Sequence, residues 1–103
     1  MTRRVVRATP DFFAHLDSQL GDERGPGGEP SAADFQAYEL LPIVEEFASG
    51  WEDLPELIPG RPEYRVLVKT GYLIPMISVV GQLAPDGAVA LTELWVDLGP
   101  ATP

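Results

Sequence analysis

The stretch that decides the fold is Tyr64–Leu98, which reads YRVLVKTGYLIPMISVVGQLAPDGAVALTELWVDL. It contains most of the long apolar runs of the chain, and its β-branched and aromatic residues are typical of strands. Two short segments, Thr70-Gly71 and Ala84 to Gly87, have the composition of tight turns. The stretch therefore predicts a three-stranded antiparallel meander with strands at Tyr64–Lys69, Leu73–Leu83 and Ala88–Leu98.

Two helices are predicted upstream of the meander, after a short strand within Arg3–Ala8. The first helix begins at Thr9-Pro10, because Thr is a good N-cap and Pro fits the first helical position. A loop rich in Gly and Pro follows, and Ser31 then caps the second helix, which ends at Ser49-Gly50. Pro42 interrupts the apolar periodicity of this second helix, so we expect a kink or a division into two short helices.

The length of 103 residues leaves room for one hydrophobic core. The sequence therefore predicts a single α+β domain over residues 1–98 and a frayed tail at 99–103. The chain has no cysteine, which excludes disulfides and thiolate metal sites. No other pattern predicts a metal or a cofactor. Without a signal sequence or a run of about 20 apolar residues, the sequence predicts a cytoplasmic protein that does not bind a membrane.

The net charge of -9 is a poor match for a nucleic acid, because phosphate binding depends on an excess of Lys and Arg. Eight acidic residues and no basic ones lie between Glu29 and Glu56. The simplest interpretation of that segment is a solvated helix face.

Strand alternation divides the predicted meander into two faces. One face, with Tyr64, Val66, Val68, Ala90, Leu94 and Val96, is the expected core. The opposite face is expected to combine cations and apolar groups and to bind a partner, through Arg65, Lys69, Leu73, Leu91 and Trp95. Trp95 has the size and the polar edge that are common in interface anchors. The alternative is that the segment 51–62 or the C-terminal tail covers this face.

Several short motifs give the chain a resemblance to the bacterial RelE/ParE toxin superfamily. They are Val6-Arg7-Ala8-Thr9-Pro10-Asp11-Phe12 followed by Leu16-Asp17, a Leu57 before the strand start Tyr64-Arg65-Val66, and the pair Gly71-Tyr72. The resemblance implies a RelE/ParE-like fold and a toxin of a type II toxin-antitoxin system, neutralised by a cognate antitoxin. It implies either messenger RNA cleavage on the ribosome or inhibition of DNA gyrase.

The resemblance makes Arg65 and Lys69 the candidate catalytic residues of a ribonuclease. The second strand departs from the family pattern, since Leu73 stands where a second arginine is common. The last strand of the family usually ends in basic or aromatic catalytic residues, whereas here it ends in Trp95-Val96-Asp97-Leu98-Gly99 and has no basic residue. The sequence therefore favours a toxin-like protein that acts by binding another protein. A ribosome-dependent endoribonuclease and a small homodimeric interaction domain remain as alternatives.

His15 is the only histidine of the chain and lies beside the apolar stripe of the first predicted helix. A lone histidine can act as a general base. The plainer interpretation, which the sequence favours, is a residue on the surface or at the boundary of the core.

Overall fold

A four-stranded mixed sheet with helices packed on one face forms the protein, as seen in a computed structural model that describes residues 3–99. The strands are β1 (Val6–Ala8), β2 (Tyr64–Lys69), β3 (Met76–Leu83) and β4 (Val89–Asp97), and their order in the sheet is β1-β4-β3-β2. The helices are α1 (Pro10–Gln19), α2 (Ala32–Tyr38) and α3 (Leu40–Gly50), and a short 3-10 turn follows at Trp51–Asp53. The α+β class is as predicted.

β1 pairs with β4 in parallel, whereas β2 with β3 and β3 with β4 pair antiparallel. β2 has its predicted bounds. β3 begins at Met76 rather than Leu73, because Pro75 has no N–H to donate to a ladder and the residues before it form a loop. The tail predicted at 99–103 lies, from residue 100 onwards, outside the described residues.

The second predicted helix is two helices, and the break falls at Glu39 rather than at the proline. Pro42 is four residues beyond Tyr38, so it offers no N–H to the Tyr38 carbonyl, and its ring crowds that group. The helix therefore ends at Tyr38 and restarts at Leu40. None of the helices within residues 3–99 combines the length and the apolar character that a membrane-spanning helix requires.

The buried side of the sheet is the one that α1 and α3 cover. Phe12 and Leu16 of α1 are fully buried, as are Phe47 of α3 and Leu94 of β4. The ring of Phe47 lies so close to Gly81 of β3 that a Cβ atom there would be 2.6 Å from its Cε1 atom. Glycine at this position lets α3 approach the backbone of the sheet.

A β-bulge in β4 changes which side chains point to each face of the sheet, so that they do not follow simple alternation. Val80 pairs with Glu93 and Gly81 pairs with Leu91, so Thr92 has no residue opposite it. Leu91 and Leu94 consequently point to the same face, and both are fully buried. The predicted face of Leu91 was therefore wrong, because one extra residue reverses the alternation on one side of the bulge.

The face assignment of β2 was also wrong. Leu67 is buried and Val68 is 56% exposed, the reverse of the expectation. Arg65 and Lys69 pair with Gly81 and Ile77, so both lie on the side that the helices cover. The alternation of β2 is regular, but Val and Leu occur on both of its sides, and periodicity alone does not choose between them.

A buried carboxylate joins the helical layer to the loop between β2 and β3. Glu39 is 2% exposed and accepts hydrogen bonds from the backbone N–H groups of Tyr72, Leu73 and Ile74, at 2.7, 2.8 and 3.1 Å. Gly71 completes this contact, since a Cβ atom there would clash with the Glu39 Oε2 atom. A negative group that accepts three N–H bonds satisfies donors that would otherwise be buried without a partner.

We expect Glu39→Ala to lower the free energy of unfolding by about 3–5 kcal/mol, because it leaves these N–H groups without their acceptor. Glu46→Ala is the matched control, since Glu46 is an exposed glutamate of α3. Urea denaturation of both variants measures the difference. Equal unfolding midpoints for the two variants would contradict the role given to Glu39.

The start of α2 is fixed by a capping box with an added ion pair. The Ser31 hydroxyl accepts from the Asp34 N–H, and the Asp34 carboxylate accepts from the Ser31 N–H. Arg24 also donates to that carboxylate, at 2.9 Å. The Arg24 hydrogen bond, followed by that of the Ser31 backbone, lowers the pKa of Asp34 from 3.8 to about 2.

We expect a carboxyl ¹³C NMR titration to give this depressed pKa for Asp34 and a higher one in Arg24→Ala. Because the folded-state pKa lies below the unfolded one, the stabilisation by this group is complete above about pH 4 and is lost as the pH falls towards 2. An Asp34 pKa that is the same in both proteins would contradict this account.

Candidate functional site

The solvent side of β2, β3 and β4 is a sheet surface that the helices of residues 3–99 leave uncovered, and we call it the open face. Three large apolar side chains on it or at its end are exposed: Val68 (56%), Trp95 (49%) and Met76 (43%). Val68 and Trp95 lie in one row, because both pair with Ser78. The side chains of the open face are those of Tyr64, Val66, Val68, Met76, Ser78, Val80, Gln82, Ala90, Glu93, Trp95 and Asp97.

A groove of about 430 Å³ crosses one end of the open face, and we call it the open-face groove. Asp11 and His15 of α1 line it, and Leu57 and Ile58 of the segment before β2 do so too. Sheet residues complete the lining, namely Tyr64, Val80, Gln82, Thr92 and Glu93. The groove thus contains both carboxylates and apolar side chains.

Two side chains of α1 hold the helix against β4. β1 pairs with β4 only as far as Leu91, which leaves the later backbone groups of β4 without a strand on that side. The His15 Nδ1 atom accepts from the Leu94 N–H at 3.1 Å. The Gln19 amide accepts from the Val96 N–H at 2.8 Å and donates to the Leu94 carbonyl at 2.6 Å. These two side chains thereby provide hydrogen-bond partners for backbone groups along the exposed edge of β4.

His15 also positions Trp95. The two rings meet in a T-shaped arrangement with centroids 5.9 Å apart. Since Nδ1 accepts a hydrogen bond, the hydrogen of the neutral imidazole is on Nε2. The sequence predicted a surface or boundary residue, and His15 is partly buried, but its contacts with β4 and Trp95 were not foreseen. The spacing of His15 and Gln19, one helical turn apart, is the sequence signal for one shared face.

Arg65 lies on the side of the sheet opposite the open face. There it holds the segment before β2 against the sheet. Its guanidinium lies over the ring of the buried Trp51, at 5.6 Å from the centroid. It donates to the Leu54 carbonyl at 2.8 Å and to the Pro62 carbonyl at 2.9 Å. The side chain is thus engaged in holding the 51–63 segment in place.

The five predicted partner-binding residues do not converge on one surface. Lys69 shares the helix-covered side with Arg65, and Leu91 is fully buried in the core. Leu73 is 41% exposed in the loop that Glu39 holds. Trp95 is the member of the set that lies on the open face. Whether any of them contacts a partner stays a prediction.

The segment 51–62, the alternative cover for the sheet, borders the open face without closing it. Leu57 and Ile58 stand at the side of the open-face groove, and both remain exposed. Within residues 3–99, no group of three or more His, Asp or Glu side chains is arranged to hold a metal ion.

No protein-family model, no curated protein and no solved structure matches this chain. The interpretation of the site therefore depends on its own residues.

We expect Arg65→Ala to reduce the free energy of unfolding by about 1–2 kcal/mol, because the variant loses two hydrogen bonds to carbonyls and the contact with Trp51. Lys69→Ala serves as the comparison and should change it by no more than about 0.5 kcal/mol. Urea denaturation measures both. An unchanged midpoint for Arg65→Ala would contradict its structural role.

Proposed function

We propose that this chain is a diverged RelE/ParE-like toxin of a type II toxin-antitoxin system, and that it acts by binding another protein through its open face. The partners would be a cognate antitoxin and a cellular target such as DNA gyrase or the ribosome. The observation that carries the proposal is the row formed by Val68 and Trp95, two exposed apolar side chains on a sheet face that no helix within residues 3–99 covers.

The order of the elements supports the fold part of the proposal. A short strand leads into a helix capped by Thr9, further helices follow, and three consecutive strands end the described chain. The resemblance implies a similar order, with two helices, the second kinked, between the first strand and the last three. The motif Tyr64-Arg65-Val66 stands at the start of β2, and Gly71-Tyr72 stands in the loop after it.

The chemistry of the open face supports binding over RNA cleavage. An RNA-cleaving site needs cations to stabilise the extra charge on the phosphate. β2, β3 and β4 place no Lys or Arg on the open face, since Arg65 and Lys69 point to the other side. Arg7 of β1 shares the side of Ala90, and its guanidinium is paired with Asp86 at 3.0 Å. Partly exposed apolar and aromatic side chains are instead what protein interfaces use.

The test is expression of the chain in a bacterial host, with growth, RNA ends and gyrase supercoiling activity measured. We expect growth inhibition without cleavage of messenger RNA, and relief by the product of a small gene adjacent to the one for this chain. Trp95→Ala should abolish the inhibition, because a central aromatic side chain commonly contributes about 2 kcal/mol or more to an interface.

Tyr38→Ala is the matched control, since Tyr38 is an exposed aromatic residue of α2 on the opposite layer. It should inhibit growth as the unchanged protein does. RNA cleavage on purified ribosomes would replace the proposal with the ribonuclease alternative. A Trp95→Ala protein that is folded and fully inhibitory would overturn the role of the open face. Sedimentation as a dimer through Trp95, with no effect on growth, would favour the homodimeric alternative.

A further inference from the structure

The open-face groove has two walls of different chemistry. Asp11 and Glu93 place carboxylates along the side formed by α1 and β4. Leu57 and Ile58 form the other side, where they are 42% and 48% exposed, and the buried Val80 belongs to the floor. A ligand that fits this groove therefore has both a positive group and an apolar part.

The two groove carboxylates have no cation of their own within residues 3–99. Each of the six arginines of the chain is engaged elsewhere, five in ion pairs and Arg65 with backbone carbonyls. Lys69 lies on the helix-covered side of the sheet. A cation from a second molecule would complete the groove, and the net charge of -9 attracts such a molecule.

Trp95 stands next to Glu93 on the same face of β4. Residues two apart on a strand are separated by about 7 Å, so one planar cation can reach both side chains. A guanidinium group stacks on an indole and pairs with a carboxylate at the same time, whereas an ammonium group is a compact point charge. His15 packs against Trp95 and holds its ring beside the groove.

We propose that the open-face groove binds an arginine-bearing, partly apolar segment of a protein partner. The guanidinium lies between the carboxylates of Asp11 and Glu93 and the ring of Trp95, and a neighbouring aliphatic side chain contacts Leu57 and Ile58. This inference rests on the proposed function, because it names the chemistry of the partner that the open face binds.

The experiment titrates the ¹⁵N-labelled protein with the tripeptide N-acetyl-Leu-Arg-Leu-amide at low ionic strength, followed by NMR. We expect saturable shifts at the Thr92 and Glu93 amides and at the Trp95 indole N–H. The same peptide with citrulline in place of arginine should bind at least about fivefold more weakly, because it keeps the shape and loses the charge.

Charge-neutralising variants of the protein give the reciprocal test. The double variant Asp11→Asn/Glu93→Gln should weaken binding of the arginine peptide at least about fivefold. Asp17→Asn/Glu46→Gln is the matched control, since it removes the same charge from exposed positions on α1 and α3, and it should bind within about twofold of the unchanged protein. The amide spectrum of each variant verifies its fold.

Equal affinity for the arginine and citrulline peptides, shifts that map outside the groove, or unchanged binding by Asp11→Asn/Glu93→Gln would overturn the inference. The proposed function is judged separately by growth inhibition. If Trp95→Ala abolishes inhibition while Asp11→Asn/Glu93→Gln leaves it intact, the open face is a binding surface and the arginine inference fails. If the peptide binds as expected and the chain does not inhibit growth, the arginine-binding inference is supported and the toxin proposal fails.

Discussion

One extra residue in β4 determines which side chains the protein buries. Thr92 has no residue opposite it in β3. The in-and-out alternation of side chains after Thr92 is therefore shifted by one residue relative to the alternation before it. Leu91 and Leu94, three residues apart, both reach the core, and Glu93 and Trp95 are left on the solvent side. Without the bulge, a continuous strand would point Leu91 and Glu93 to the same face. The core and the open face therefore both depend on this irregularity.

Most elements could be located from the sequence, although β3 begins later than predicted and the second helix is divided. The faces of the sheet could not be predicted. Thr9, Ser31 and Gly50 mark helix ends through local chemistry, and β2 has its predicted bounds. Which side of a strand is buried depends on the elements that pack against it. Val or Leu occurs at both odd and even positions of β2, β3 and β4, so the sequence alone does not show which side is buried. Gly81 was the available signal, because an isolated glycine within a strand often lies at a bulge or at a close approach of another element. Here it does both.

The distribution of charge shows what the basic side chains do in the fold. Whether Arg65 and Lys69 take part in catalysis stays a prediction. Arg3, Arg4 and Arg7 border a cavity of about 290 Å³ near β1, but each is paired with a carboxylate from elsewhere in the chain. Arg65 is held by carbonyls and Trp51. These cations join distant segments of an acidic chain and so serve its stability. The unmatched charge at the open-face groove is negative, which selects cationic ligands over phosphates.

The edges of the sheet indicate how a partner could approach. His15 and Gln19 bond the backbone of β4 beyond β1, and the segment before β2 bonds β2 through Leu57 N–H to Tyr64 C=O and Val66 N–H to Pro55 C=O, both at 3.0 Å. Strand addition needs a row of unpaired backbone groups, and these contacts occupy much of the β2 edge and of the part of β4 that extends beyond β1. The proposed binding of a partner would then depend on side chains of the open face. A side-chain surface with one aromatic anchor, an apolar wall and two carboxylates discriminates by the composition of the partner, not by its backbone.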